Sequence, residues 1–64
     1  MNEDKQLNEQ DAVAKFNEGI SYFEQKRYEE AIKCFEEAIK LNPRYIAAFF
    51  YTGECYRKSK KNYT

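Results

Sequence analysis

Between Tyr28 and Pro43, apolar and charged positions recur with the period of a helix. Tyr28, Ala31, Ile32, Phe35, Ala38 and Ile39 fall at intervals of three and four, with charged residues between them. Glu29 and Glu30 near the start and Lys40 near the end suit the helix dipole. Pro43 halts the pattern and pushes Asn42 out of helical geometry, so the spacing predicts a helix over 28–42. Alanines interleaved with Ile and Phe let another helix approach closely. Such a stripe needs a partner on each side.

Upstream, Ala12 or Val13, Phe16, Gly19, Ile20, Tyr22 and Phe23 form a second stripe, with Lys15, Glu18, Ser21 and Gln25 on the polar side. Asn8, with Asp11 three residues on, signals a helix start, which predicts a helix over 8–25. Residues 1–7 offer no sustained apolar face and read as a disordered lead. The Lys26-Arg27 connection is short enough to make the two helices antiparallel neighbours. Gly19 costs up to about 1 kcal/mol in mid-helix, which a close crossing against Ala31 and Ala38 would justify. A third helix is expected over 45–59, followed by a basic tail at 60–64. This helix is apolar nearly all round, with Ile46, Phe49, Phe50 and Tyr56 on one side and Ala47, Ala48, Tyr51 and Cys55 on the other. The expected architecture is a single all-α domain over 8–59, an antiparallel helical hairpin plus a third helix.

The third helix repeats the first. Phe16 and Phe50, Gly19 and Gly53, and Tyr22 and Tyr56 are each 34 residues apart, while Tyr28 and Tyr63 are 35 apart. A period in this range belongs to helical repeat arrays. With Gly19-x-x-Tyr22, Tyr28-x-x-Ala31, Phe35-x-x-Ala38 and Pro43, residues 12–45 resemble one tetratricopeptide repeat. Phe49, Gly53 and Tyr56 make residues 46–64 similar to the first helix of a second. The resemblance implies about one and a half repeats, stacked as a right-handed helical array. Lys15 and Glu18 stand where that family prefers Trp and Leu, as expected of a flank that faces water.

The chain of 64 residues buries only about 60% of its unfolded surface, so its stability is marginal. Its net charge is zero but polarised. Residues 1–43 carry six Lys/Arg against ten Asp/Glu, a net −4, and residues 44–64 carry five against one, a net +4. Met1-Asn2-Glu3-Asp4 is not the basic start of a secretory leader, and the apolar run from Ile46 to Tyr51 is far too short to span a bilayer. Cytoplasmic placement is the expectation, with Cys34 and Cys55 as reduced packing residues. The sequence has no His, no phosphate-binding Gly loop and no nucleophile with a base at readable spacing, so no enzyme activity, cofactor or metal is expected. Arg57, Lys58, Lys60 and Lys61 make a basic cluster near Tyr56 and Tyr63, but the neutrality of the whole chain argues against nucleic acid or membrane.

What is left is a non-enzymatic module for protein–protein interaction. In the resembling family, first helices line a concave groove at positions that fall here on Val13, Phe16, Ile20, Phe23 and Glu24. The second copy gives Ala47, Phe50, Glu54, Arg57 and Lys58. Members that capture chaperone carboxyl tails carry Lys and Asn at the first two groove turns, where this chain has Phe16 and Ile20. The resemblance therefore implies an apolar groove for a peptide or helix, without the carboxylate clamp. The alternative is a structural role, as a self-assembling or capping unit of a longer array with no peptide ligand of its own. Phe49, Gly53 and Tyr56 are the expected self-association surface, with a homodimer centred on helix three.

Overall fold

Pro43 stops the middle helix where expected. The computed structural model describes the backbone of residues 2–59 and the side chains of residues 10–59. It contains three helices, α1 (Asn2–Glu24), α2 (Tyr28–Leu41) and α3 (Ile46–Ser59). Asn42 is extended, with φ −144° and ψ 93°, and its N–H still donates to the Ala38 carbonyl at 2.9 Å. The Arg44 N–H donates to Asn42 Oδ1 at 3.1 Å, an Asx turn that redirects the chain into α3. The all-α hairpin with a third helix is thus observed. The basic tail at 60–64 lies outside the described residues.

The α1–α2 turn closes by a Schellman motif. The Arg27 N–H donates to the Tyr22 carbonyl at 2.9 Å, and the Lys26 N–H donates to the Phe23 carbonyl at 3.0 Å. That geometry places Lys26 in the left-handed region at φ 66°. Arg27 then lies over the Tyr22 ring at 5.5 Å and grips Glu30 with two nitrogens at 2.8 and 2.9 Å. The turn therefore holds itself by a cation–π contact and a bidentate ion pair.

At its other end α1 begins at Asn2, ahead of the start expected at Asn8. The backbone of residues 2–7 is helical where a disordered lead was expected. No Gly or Pro interrupts Asn2 to Leu7, and Glu3 and Asp4 fall in the first turn, where carboxylates favour the helix. The lack of a sustained apolar stripe in this stretch does not forbid the helix.

α2 is the middle element and packs against both α1 and α3. Ala12, Ala31, Phe35, Ala38, Ala48 and Cys55 are all fully buried. Alanines from all three helices keep the backbones close, and Phe35 fills the space between them. The partner of Gly19 corrects the sequence expectation. A Cβ placed on Gly19 would meet Phe35 Cε1 at 2.5 Å and Cδ1 at 2.7 Å, ahead of any atom of Ala31 or Ala38. The glycine is a seat for an aromatic ring, not one half of a small-on-small crossing.

Candidate functional site

Aromatic side chains join α1 to α3 across the top of α2. Phe16 stacks on Tyr45 with centroids 5.0 Å apart and meets Tyr51 edge-on at 5.6 Å. Phe23 also meets Tyr51 edge-on, at 5.4 Å, and Phe35 stacks on the same ring at 5.7 Å. Phe50 completes the set, edge-on to Tyr51 at 5.4 Å. Such pairs each contribute about 0.5–1.5 kcal/mol beyond the area they bury. Among the expected groove residues, the fold thus gathers Phe16, Phe23 and Phe50 around one tyrosine. The sequence placed Tyr51 on the apolar ring of helix three but not among the groove residues. It has no counterpart at the repeat offset, where Asn17 stands, so the 34-residue spacing gave no signal for it.

The other groove candidates are placed less uniformly. Ile20 is half-buried against the core cluster, while Val13 is exposed at 47% and Phe50 at 60%. Glu54 is half-buried and accepts from the exposed Arg57 guanidinium at 3.4 Å. The seam therefore presents exposed apolar carbon at one end and a paired charge at the other.

Adjoining Phe50 on the outer side of α3 lie Ile46, Phe49, Gly53 and Tyr56. Ile46 is exposed at 73% and Phe49 at 51%, and a Cβ on Gly53 would meet nothing within 4 Å. Ala48 and Cys55 point the opposite way, into α2. An open concavity of about 420 Å³ is bounded by Lys26, Arg27, Tyr28, Glu29, Glu30, Lys58 and Ser59, and of the expected groove positions it takes in Lys58 alone.

The polar flank of the hairpin is tied together rather than merely solvated. Lys15 Nζ lies 3.1 Å from Glu37 on α2 and 3.8 Å from Glu18. The hydrogen bond to Glu37, and then the charges of Glu37 and Glu18, raise the Lys15 ammonium above its ordinary value. Cys34 Sγ donates to Glu18 Oε1 at 3.8 Å, and burial followed by the Glu18 charge raises its thiol. Burial, with a smaller push from Glu54, lifts Cys55 to about 11. Both free thiols are held in the protonated, unreactive form. Among the described residues there is no group of three or more side chains suited to a metal ion.

The family model for the tetratricopeptide repeat matches residues 12–45, more than half of the chain. The chain belongs to the tetratricopeptide repeat family. The matched repeat takes in the second part of α1, all of α2 and the turn that follows, and α3 opens a second repeat, giving about one and a half in all. Among curated proteins it is 46% identical over 33 residues to a Dictyostelium discoideum protein named as a STIP1 homolog, covering 52% of this chain and 6% of that protein. It is 35% identical over 54 residues to the chloroplastic tetratricopeptide repeat domain-containing protein PYG7 of Arabidopsis thaliana, covering 83% of this chain and 18% of that one. It is 40% identical over 40 residues to Hsp70-Hsp90 organizing protein 3 of the same plant, covering 62% and 7%. The tetratricopeptide chain therefore spans less than a fifth of the length of these relatives. No solved structure matches it.

Proposed function

We propose that this tetratricopeptide chain is a non-enzymatic interaction module whose apolar groove takes a hydrophobic peptide or one face of an amphipathic helix. The observation that carries the reading is the aromatic seam around Tyr51, in which Phe50 keeps 60% of its surface in water. An exposed ring set edge-on against the half-buried Tyr51 ring offers a ligand an apolar contact at little entropic cost. The relatives named as a STIP1 homolog and an Hsp70-Hsp90 organizing protein support an interaction role in general. Phe16 and Ile20 at the groove turns favour an apolar ligand over an acidic chaperone tail. Cytosolic location belongs to the same proposal, although one relative is chloroplastic. Among the described residues no helix is long and apolar enough to cross a membrane.

Nitrogen–proton NMR titration tests the groove with two peptides, one apolar and amphipathic, the other acidic with a free carboxyl tail. The apolar peptide should shift Val13, Ile20, Phe23, Phe50, Glu54 and Arg57, and Phe50→Glu should weaken it at least tenfold without lowering the thermal midpoint. Preference for the acidic peptide, or indifference to Phe50→Glu, would overturn the reading.

A further inference from the structure

One side chain interrupts the apolar wall that α3 gives to the groove. Ala48 and Cys55 point into α2, and Tyr51 meets the rings of α1, so the helical period puts Glu54 on the α1 side, one turn beyond Phe50. The same register on α1 holds Ile20, an apolar residue half-buried against the core. Glu54 keeps only 22% of its side chain in water. What has replaced the lost water is slight. One guanidinium nitrogen of Arg57 reaches Glu54 Oε2 at 3.4 Å, and Arg57 itself is 68% exposed. In the turn before α2, by contrast, Arg27 closes on both oxygens of Glu30 at 2.8 and 2.9 Å. Of these two carboxylates, Glu54 is the less exposed and has the weaker partner.

A ligand seated on Phe50 strips the remaining water from Glu54, and a carboxylate enclosed without a close partner is costly. Arg57 can follow it only by giving up its own hydration. A ligand that brings a cation to that spot meets the carboxylate with a charge-assisted hydrogen bond instead. An acidic ligand meets repulsion at the same atoms. Arg57 and Lys58 are exposed and stay hydrated whatever is bound, so they act on the approach of a ligand more than on its retention.

On the groove reading given above, we propose that Glu54 selects among ligands, favouring an amphipathic helix with a lysine or arginine one turn from the apolar side chain that covers Phe50. The ligand is then basic as well as apolar. Glu54 supplies specificity by penalising what leaves it unpaired, while Phe50 supplies the contact common to all ligands.

Two lactam-bridged helical peptides test this, alike except that one has lysine and the other norleucine four residues from a phenylalanine. Titrated into the labelled full chain, the lysine peptide should bind about five- to tenfold more tightly than its norleucine twin. Glu54→Gln, of nearly the same shape, should bring the two to equal affinity while helix content and thermal midpoint hold. Glu54→Leu should reverse their order, because an apolar wall then faces the ammonium group. Phe50→Ala should weaken both peptides and leave their ratio unchanged. Equal binding of the twins to the parent chain, or a lysine preference that survives Glu54→Gln, would overturn the proposal while the groove stands. Binding of both that ignores Phe50→Ala, or binding of neither, would remove the groove reading and the selection with it. Shifts at Phe50 and Glu54 that appear with protein concentration alone would also overturn it, because a second copy would then be the occupant.

Discussion

Replacing Gly19 with Ala would drive a methyl group into the Phe35 ring, whose nearest atom stands 2.5 Å from the new carbon. Phe35 is fully buried and has nowhere to retreat, so overpacking outweighs the gain of about 1 kcal/mol in helix propensity. A net loss of roughly 1–3 kcal/mol is expected from urea unfolding. Gly53→Ala should do the reverse. Nothing lies within 4 Å of the added carbon, so the propensity term of up to about 1 kcal/mol stands alone and stability rises. Two glycines that read identically in sequence thus have opposite predicted effects. Lys15 carries a related lesson. It was expected on a polar flank facing water, and there it reaches across to Glu37 at 3.1 Å. A long flexible side chain can find a partner on a neighbouring helix that no spacing within its own helix announces.

Among the elements, the turn between α1 and α2 holds the clearest strain. Lys26 occupies the left-handed position of the Schellman motif, where glycine would be free of the Cβ penalty. Lys26→Gly should therefore raise stability by about 1 kcal/mol, read from the urea midpoint with the helix content unchanged. An unchanged or lowered midpoint would show that the position carries no such strain. No glycine marks this site, so the sequence showed only a short connection and not its closure. At the far end of α2 the outcome was readable. Pro43 blocks the helix chemically, and Asn42 takes the extended geometry that a following proline requires. The start of α1 shows the limit of the capping signal, since Asn8 and Asp11 suit a helix start without preventing the helix from beginning earlier.

For the molecule as a whole, α1 and α3 both rest on α2, and the ring contacts of Phe16 and Phe23 with Tyr51 tie them to each other. Removing that tyrosine is therefore a global change. Tyr51→Ala should cost about 3–5 kcal/mol, as large aromatic truncations do. For a chain of this size the total stability is on the order of 3–10 kcal/mol. Far-ultraviolet and near-ultraviolet circular dichroism should lose their signals together, at a much lower temperature than in the parent. Loss of the near-ultraviolet signal alone, with α1 and α2 still cooperatively folded, would show that α3 is an appendage and not part of the core.

By itself the sequence determined the helical class, the number of helices, the middle position of α2 and the family, through Gly19, Tyr22, Tyr28, Ala31, Phe35, Ala38 and Pro43. These features are local, because periodicity, propensity and a proline stop act within a few residues along the chain. It also marked the alanine stripe that ends up buried. Only the tertiary structure decided which atom fills the seat at Gly19, that Tyr51 collects the rings of α1 and α3, that Lys15 pairs across the hairpin, and that the equivalent seat at Gly53 stands open. Each of these depends on residues far apart in the chain meeting at a fixed distance and angle. Helical period specifies which side of a helix is apolar, whereas packing in three dimensions specifies what touches it.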